Sequence, residues 1–161
     1  MKICAAQVRP FKGDIDKNIT SHKQLIARAV SEKADLIVFP ELSLTGYEPR
    51  LCKELATHPD DNRLDDFHTI SNTGNITICL GLPTISNAGI RISMIIFQPN
   101  QPRQTYSKQY LHADELPYFT PGNRQAILTI NHNKIAPAIC YESLLPKHSD
   151  NAFQLGAEIY V

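Results

Sequence analysis

The chain contains 161 residues, which is long enough for one domain with a hydrophobic core and too short for two ordinary domains. Sixteen basic residues balance sixteen acidic ones, so the net charge gives no indication of binding to nucleic acid or to an anionic membrane surface. With 42% apolar and 20% charged residues, the composition is typical of a globular protein and excludes a disordered one.

The first half of the chain alternates strand and helix patterns. Near-continuous apolar runs predict strands, and apolar side chains at helical spacing predict helices between them. The predicted strands cover residues 2–8, 36–39 and 75–82, and the predicted helices cover residues 16–33 and 63–71. Asp14 or Asp16 is the expected N-cap of the first helix. The run at 36–39 does not alternate with polar residues, which indicates a sheet covered on both faces.

The second half of the chain predicts antiparallel pairing. Residues 90–97 follow the turn Asn87-Ala-Gly89 and indicate a hairpin with the preceding strand, which is expected to end near residues 82–84. The glycine- and proline-containing segments Gly81-Leu-Pro83 and Pro121-Gly122 are interpreted as turns. Further strands are predicted at 103–107, 124–130 and 134–140. The expected fold class is therefore α/β with mixed sheets.

The amino terminus and the cysteines indicate a compartment. Gln7 and Arg9 interrupt the first apolar run before a secretory leader could be complete, and no apolar stretch approaches the roughly 18 residues of a membrane span. The cysteines form no C-x-x-C pair, which argues against a zinc site and a disulfide framework. They are Cys4, Cys52, Cys79 and Cys140. We therefore expect a soluble cytoplasmic protein with free thiols, without a metal and without a membrane or nucleic-acid partner.

Three predicted strands end next to groups that could share a site. The strand at 36–39 is followed by Glu41, the strand at 103–107 by Lys108, and the last apolar run by Cys140. Open α/β sheets bind ligands beyond the carboxyl ends of their strands. A thiolate can attack, a carboxylate can accept the thiol proton, and a lysine can lower the thiol pKa and stabilise a tetrahedral oxyanion. Taken singly, a buried cysteine and a solvated lysine are the commoner interpretations.

Four blocks of the sequence resemble the signature regions of the nitrilase superfamily of carbon–nitrogen hydrolases, in the same order and at suitable separations. The blocks are Phe39-Pro-Glu-Leu-Ser-Leu-Thr-Gly46, Tyr106-Ser-Lys-Gln-Tyr-Leu-His112, Glu115-Leu-Pro-Tyr-Phe-Thr-Pro-Gly122 and Ile139-Cys-Tyr-Glu-Ser143. The resemblance extends from Met1 to Val161. Four ordered blocks are far more specific than any one of them.

The resemblance implies a role for each matching residue. Glu41 corresponds to the general base, Cys140 to the nucleophile that forms a thioester acyl-enzyme, and Lys108 to the cation that stabilises the oxyanion. The backbone N–H of Tyr141 would share that last task. Glu115 matches the second glutamate, which orients the lysine or the substrate.

Three aromatic residues follow the catalytic blocks. Tyr47, Tyr118 and Phe119 are candidates for lining the substrate pocket, with a core or rim position as the alternative.

The resemblance also implies an architecture. The family fold is an α-β-β-α sandwich, and the chain corresponds to about the N-terminal three-fifths of one such domain, so the sandwich is expected to be incomplete at the C-terminus. Residues 156–161 resemble the start of the next core strand. A homodimer or larger homo-oligomer is implied, and no cofactor. The substrate class is a small amide, an N-carbamoyl compound or a nitrile, with an amidase-type reaction.

The sequence is also consistent with two other functions. A different cysteine hydrolase would pair Cys140 with a histidine, and the nearest in sequence are His112, His132 and His148. Alternatively, the chain is a catalytically silent fragment that acts as a binding or regulatory module. The silent fragment predicts no labelling of Cys140 by a mild electrophile, whereas an activated thiolate is expected to react before Cys4 or Cys79.

Overall fold

The computed structural model describes all residues from 1 to 161 and shows a mixed α/β fold with two sheets. The strands are β1 (Ile3–Ala5), β2 (Leu36–Val38), β3 (Thr77–Ser86), β4 (Gly89–Phe97), β5 (Gln104–Ser107), β6 (Leu128–Ile130), β7 (Asn133–Ala136) and β8 (Ile159–Tyr160). The α-helices are α1 (Ile15–Ser31), α2 (Cys52–Leu55), α3 (Asp65–Gly74) and α4 (Pro146–Gln154). None of these helices has the length and apolar character needed to cross a membrane.

Both sheets are mixed, as predicted. The first has the order β1-β2-β3-β4-β5, with β1, β2 and β3 parallel and β3, β4 and β5 antiparallel. The second has the order β6-β7-β8, with an antiparallel and a parallel pair. Asp14 is the N-cap of α1, where its carboxylate accepts a hydrogen bond from the N–H of Lys17 at 3.1 Å.

Two apolar clusters cover opposite faces of the first sheet. Helices α1 and α3 pack on one face, where Ile26, Phe67 and Leu80 are fully buried. The second sheet packs on the other face, where Ile96, Leu128 and Ile135 are buried. Since β2 and β3 have an apolar layer on each side, their sequences do not alternate. The carboxyl ends of β2 and β5 and the segment after β7 then meet at one edge of this stack.

The structure corrects three details of the predicted elements. Gly81-Leu-Pro83 is not a turn, because β3 continues to Ser86 and pairs with β4 as far as Gly89, and this extended ladder outweighs the local turn preference of glycine and proline. The strand β7 ends at Ala136 rather than at residue 140, because Pro137 has no N–H to donate to the ladder. Residues 124–127 lie outside any strand, and pairing begins at Leu128.

Gly81 brings β3 into close contact with the loop that follows β2. A Cβ atom at residue 81 would lie 2.5 Å from the carbonyl oxygen of Pro40 and 2.6 Å from the N–H nitrogen of Leu42. Both atoms belong to the backbone on either side of Glu41, so they cannot move aside as a flexible side chain can. The absence of a side chain at residue 81 therefore sets the position of the Glu41 carboxylate.

Replacing Gly81 with alanine is expected to destabilise the fold by about 1–3 kcal/mol through overpacking, and to displace Glu41. Gly74→Ala is the matched control, because its Cβ would meet the side chain of Val30 at 2.8 Å, and a side chain can adjust. Thermal unfolding of both variants measures the difference. Equal stability of the two variants would contradict the constraint at residue 81.

Candidate active site

A fully buried lysine lies between two glutamates at the edge where the strands end. Lys108 Nζ is 2.7 Å from Glu41 Oε1 and 2.7 Å from Glu115 Oε1, and its side chain has no exposed surface. The second oxygen of Glu115 accepts the N–H of His112 at 2.8 Å. The lysine is therefore held in one place by two charge-assisted hydrogen bonds.

Cys140 lies beside this group in an unusual backbone conformation. Its φ angle is +49°, in the left-handed region that L-residues rarely adopt, and it begins a short 3₁₀ helix over Cys140–Leu144. The residue is exposed, whereas Cys52 and Cys79 are buried. Non-glycine residues in this conformation concentrate at functional sites, because the surrounding structure must hold them there.

The loop that carries Glu41 is held by a second set of buried polar residues. The hydroxyl of Ser43 lies 3.0 Å from His22 Nε2, and the N–H of Gly81 donates to the same hydroxyl at 3.3 Å. Asn18 donates its side-chain amide to the carbonyl of Leu44 at 2.9 Å. Burial lowers the pKa of His22 to about 4, so its imidazole is neutral at physiological pH. These contacts anchor the loop to α1.

Burial and charge change the proton affinities of the three groups. Burial raises the pKa of Glu41 above its ordinary value, and the neighbouring Lys108 only partly offsets this. Burial alone would lower the pKa of Lys108, but the hydrogen bonds that it donates to Glu115 and Glu41 raise that pKa overall. Burial and the charge of Glu41 raise the pKa of the Cys140 thiol, and the opposing effect of Lys108 does not cancel them.

The net shift at Cys140 corrects one expectation from the sequence. The lysine was expected to lower the thiol pKa, but burial of the thiol and the negative charge of Glu41 outweigh its effect. The resting nucleophile is therefore a thiol. The raised pKa of Glu41 makes that carboxylate a better acceptor for the thiol proton, because the proton affinities of acceptor and donor are brought closer together.

Two cavities adjoin Glu41 and Cys140, and both residues line each of them. One has a volume of about 390 Å³ and extends between the sheets along Phe39, Met94 and Ile139. The other, about 690 Å³, is more open and is also lined by Tyr47, His112, Asp114, Glu115, Tyr141, Ser143 and Leu144. A small substrate entering the open cavity would reach the thiol directly.

The structure brings together most of the residues predicted from the sequence. Tyr47 lines the open cavity and donates its hydroxyl to Asp114 Oδ2 at 3.0 Å. The N–H of Tyr141 lies in the first turn of the 3₁₀ helix, where backbone N–H groups have no partner within the helix. Tyr118 and Phe119 do not line either cavity beside Cys140. Phe119 is buried in the cluster between the sheets, and Tyr118 is on the surface.

The three histidines considered as partners of Cys140 have other contacts. His112 Nδ1 is 2.5 Å from Asp114 Oδ1, and both ring nitrogens of His148 lie against tyrosine hydroxyls. His132 is exposed in the turn between β6 and β7. No histidine forms a hydrogen bond with the thiol. No three side chains of His, Cys, Asp or Glu are grouped so that they could hold a metal ion.

One buried carboxylate near the nucleophile, that of Glu142, was not predicted from the sequence. Glu142 has no exposed surface and accepts hydrogen bonds from several groups around Cys140 and Lys108. Its position two residues after the cysteine was visible in the sequence, but a carboxylate in a short turn is ordinarily solvated. Only the tertiary structure shows what surrounds it.

The geometry defines a protein class: a layered α/β protein with a thiol, a carboxylate and a bound ammonium group where its strands end. Comparison with protein families agrees with it, since the carbon-nitrogen hydrolase family model matches residues 2–161. The chain belongs to the carbon-nitrogen hydrolase family, which confirms the resemblance found in the sequence.

Individual relatives cover the chain but are longer than it. The glutamine-dependent NAD(+) synthetases of Thermotoga maritima and Acinetobacter baylyi are 24% and 29% identical to it, over 100% and 86% of this chain. This chain spans only 29% and 26% of their lengths. A nitrilase of Pyrococcus abyssi is 23% identical over 99% of this chain, which spans 63% of that protein.

Solved structures show the same fold. The amidase from Nesterenkonia sp. AN1, in a mutant complexed with butyramide, superposes with a TM-score of 0.87 at 22% identity. The match covers 99% of this chain and 63% of the amidase chain. Another structure of that amidase carries acrylamide added to its active-site cysteine. The predicted nitrilase-type sandwich is thereby confirmed as the fold of this chain.

Proposed function

We propose that the chain hydrolyses a carbon–nitrogen bond of a small amide through a thioester formed on Cys140. The observation that carries the proposal is the buried Lys108, bonded to Glu41 and Glu115 at 2.7 Å each, beside an exposed cysteine with a φ of +49°. Burying a charge costs free energy even when it is paired, so a completely buried lysine beside a cavity calls for a functional explanation.

The proposed reaction begins with the attack of Cys140 Sγ on the carbonyl carbon as Glu41 takes the thiol proton. Lys108 Nζ and the N–H of Tyr141 stabilise the oxygen anion of the tetrahedral intermediate. The intermediate collapses when the carbon–nitrogen bond breaks, and the proton held by Glu41 is transferred to the departing amine. Glu41 then removes a proton from water, which attacks the thioester and releases the carboxylic acid and the thiol.

Glu115 is proposed to orient Lys108 rather than to transfer a proton. It is 2% exposed, and its two oxygens accept hydrogen bonds from Lys108 and from the N–H of His112, which hold the carboxylate against the lysine. Tyr47 is proposed to contact the substrate in the open cavity. N-carbamoyl compounds and nitriles remain alternative substrates, because the same groups can attack either kind of carbon.

The pH dependence of the rate tests this function. Glu41 must be ionised to act as a base, so kcat/KM for butyramide is expected to rise with pH through the pKa of Glu41, which lies above that of an ordinary glutamate. Glu41→Gln is expected to reduce kcat about 10²- to 10⁴-fold. Glu32→Gln, which changes an exposed carboxylate directly after α1, is the matched control and should not change the rate. Ammonia release measures the rate, and full activity of Glu41→Gln would exclude the proposed base.

A second candidate substrate is the side-chain amide of glutamine. Several relatives found by sequence are glutamine-dependent synthetases that match nearly the whole chain. Hydrolysis of that amide uses the same thioester chemistry and liberates ammonia. Comparing kcat/KM for glutamine and for butyramide distinguishes the two, and a clear preference for glutamine would favour an ammonia-supplying role.

The silent-fragment alternative is tested by the order of cysteine labelling. Iodoacetamide near neutral pH is expected to modify Cys140 before Cys52 and Cys79, because Cys140 is exposed, the other two are buried, and burial raises the pKa of Cys79 to about 12. Mass spectrometry of tryptic peptides measures the order. No labelling of Cys140 would favour a binding or regulatory module.

The single domain over residues 1–161 and a homo-oligomeric state stay predictions.

A further inference from the structure

The carboxylate of Glu142 connects the two chain segments that carry Lys108 and Cys140. One oxygen accepts the N–H of Gln109 at 2.6 Å, and the other accepts the N–H of Ile139 at 2.8 Å. Gln109 directly follows the lysine, and Ile139 directly precedes the cysteine. No other acceptor in the protein is bonded to either N–H.

We propose that Glu142 is a positioning residue that fixes the ammonium group of Lys108 relative to the thiol of Cys140. This inference rests on the proposed function, because it assigns the two segments to one reaction. Hydrogen bonds to an ionised carboxylate are about twice as strong as those between neutral groups. Movement of either segment alone would break one of them and leave a buried N–H without a partner.

Neighbouring side chains hold the carboxylate itself in place. The hydroxyl of Tyr106 donates to Glu142 Oε2 at 2.8 Å. His148 Nε2 lies 2.9 Å from that hydroxyl and 3.5 Å from Glu142 Oε1, and His148 Nδ1 lies 2.6 Å from the hydroxyl of Tyr160. Tyr160 belongs to β8 and Tyr106 to β5, so the carboxylate is fixed by side chains from both sheets.

The contacts of Glu142 determine how the turn that carries Cys140 is joined to the end of β5. Glu142 lies in the 3₁₀ helix that begins at Cys140, and its bond to Ile139 closes the turn in which the cysteine has its left-handed conformation. Its bond to Gln109 ties the same turn to the end of β5. Glu142 therefore connects the segment of the nucleophile directly to the segment of the oxyanion-stabilising lysine. A misplacement of about 1 Å can reduce a reaction rate about 10²-fold.

The proposal is tested with Glu142→Gln, which keeps the size of the side chain but replaces one acceptor with an amide donor. We expect kcat for butyramide, or for glutamine if that is the substrate, to fall about 10²-fold while KM changes less than about threefold. Glu142→Asp keeps the charge, but its side chain is too short to reach both N–H groups. Its kcat should also fall while its KM changes little. A kcat within about threefold of the parent in both variants would overturn the proposal.

Two further variants separate positioning from stability. Tyr106→Phe removes a hydrogen bond to the same carboxylate but leaves both backbone bonds, so its loss of kcat should be smaller than that of Glu142→Gln. Ser71→Ala removes a buried hydroxyl that is bonded to the carbonyls of Ile76 and Phe97, away from the site. It should lower stability without changing kcat. Equal losses of kcat in all variants would show a merely structural role.

Hydrogen exchange gives a readout that needs no turnover. In Glu142→Gln the amides of Gln109 and Ile139 should exchange at least about tenfold faster than in the parent, while the amides of β3 keep their parental rates. If the parent hydrolyses no amide but these two amides lose protection, the proposed function fails and the connection between the segments is still correct. If their exchange is unchanged, the positioning role fails even in an active enzyme.

Discussion

Replacing Cys140 with alanine is expected to abolish amide hydrolysis, with a loss of at least about 10⁴-fold in kcat. The physical reason is that the alanine side chain cannot form the thioester, so only the stabilisation of the oxyanion remains. Ammonia release from butyramide and from glutamine measures the loss. Cys4→Ser is the matched control, since Cys4 is a partly buried thiol on β1 and should not affect turnover. Parental turnover by Cys140→Ala would exclude the proposed chemistry.

The stability of a glycine variant provides a further check on the same residue. Because Cys140 has a φ of +49°, Cys140→Gly should be more stable than Cys140→Ala by about 1 kcal/mol, although both are inactive. Chemical unfolding of the two variants measures the difference. Higher stability of Cys140→Gly would show that the left-handed backbone strains any residue with a Cβ atom at this position.

Replacing Lys108 with methionine is expected to reduce kcat about 10³-fold and stability by about 3–5 kcal/mol. Turnover falls because the oxyanion loses its cation. Stability falls because Glu115, which is 2% exposed, loses the partner that compensates its charge. Lys12→Met is the control, since Lys12 forms an exposed pair with Glu48 at 3.0 Å and should contribute less than about 1 kcal/mol.

The stability loss in Lys108→Met should depend on pH. Without the lysine, Glu41 loses the partner that lowers its pKa, so its folded-state pKa should lie further above that of the unfolded chain than burial already places it. Such a group stabilises the fold at low pH, and this contribution is lost as the pH rises through the folded-state pKa. The variant is therefore expected to differ less from the parent at about pH 5 than at about pH 8. A difference that is the same at both pH values would contradict the uncompensated charges.

The elements were predictable where local periodicity and packing agree. The apolar spacing of α1 and the capping carboxylate of Asp14 are local features, so the helix was found with an error of about one residue at its start. The turn assignment at Gly81 failed because the residue's function is not local. Its missing side chain accommodates the backbone of Pro40 and Leu42, which is distant in sequence.

The main groups of the site were predictable because they stand in ordered blocks at strand ends, and parallel strands bring their carboxyl ends to one edge. Three features were not predictable. Glu142 acts through contacts with segments 3 and 33 residues away in the chain. The sequence allowed Phe119 either a pocket or a core position, and only the structure places it in the core between the sheets. The thiol pKa depends on burial and on the charges of Glu41 and Lys108.

The sequence by itself determined the family and the alternation of strands and helices, and it predicted Glu41, Lys108, Glu115 and Cys140 as the groups of the site, because these follow from patterns along the chain. The tertiary structure decided how the four groups share their charges and protons. It also decided which residues hold them in place. Those properties depend on burial and on distances between segments far apart in sequence, because electrostatic energies in a protein change with both separation and exposure to water.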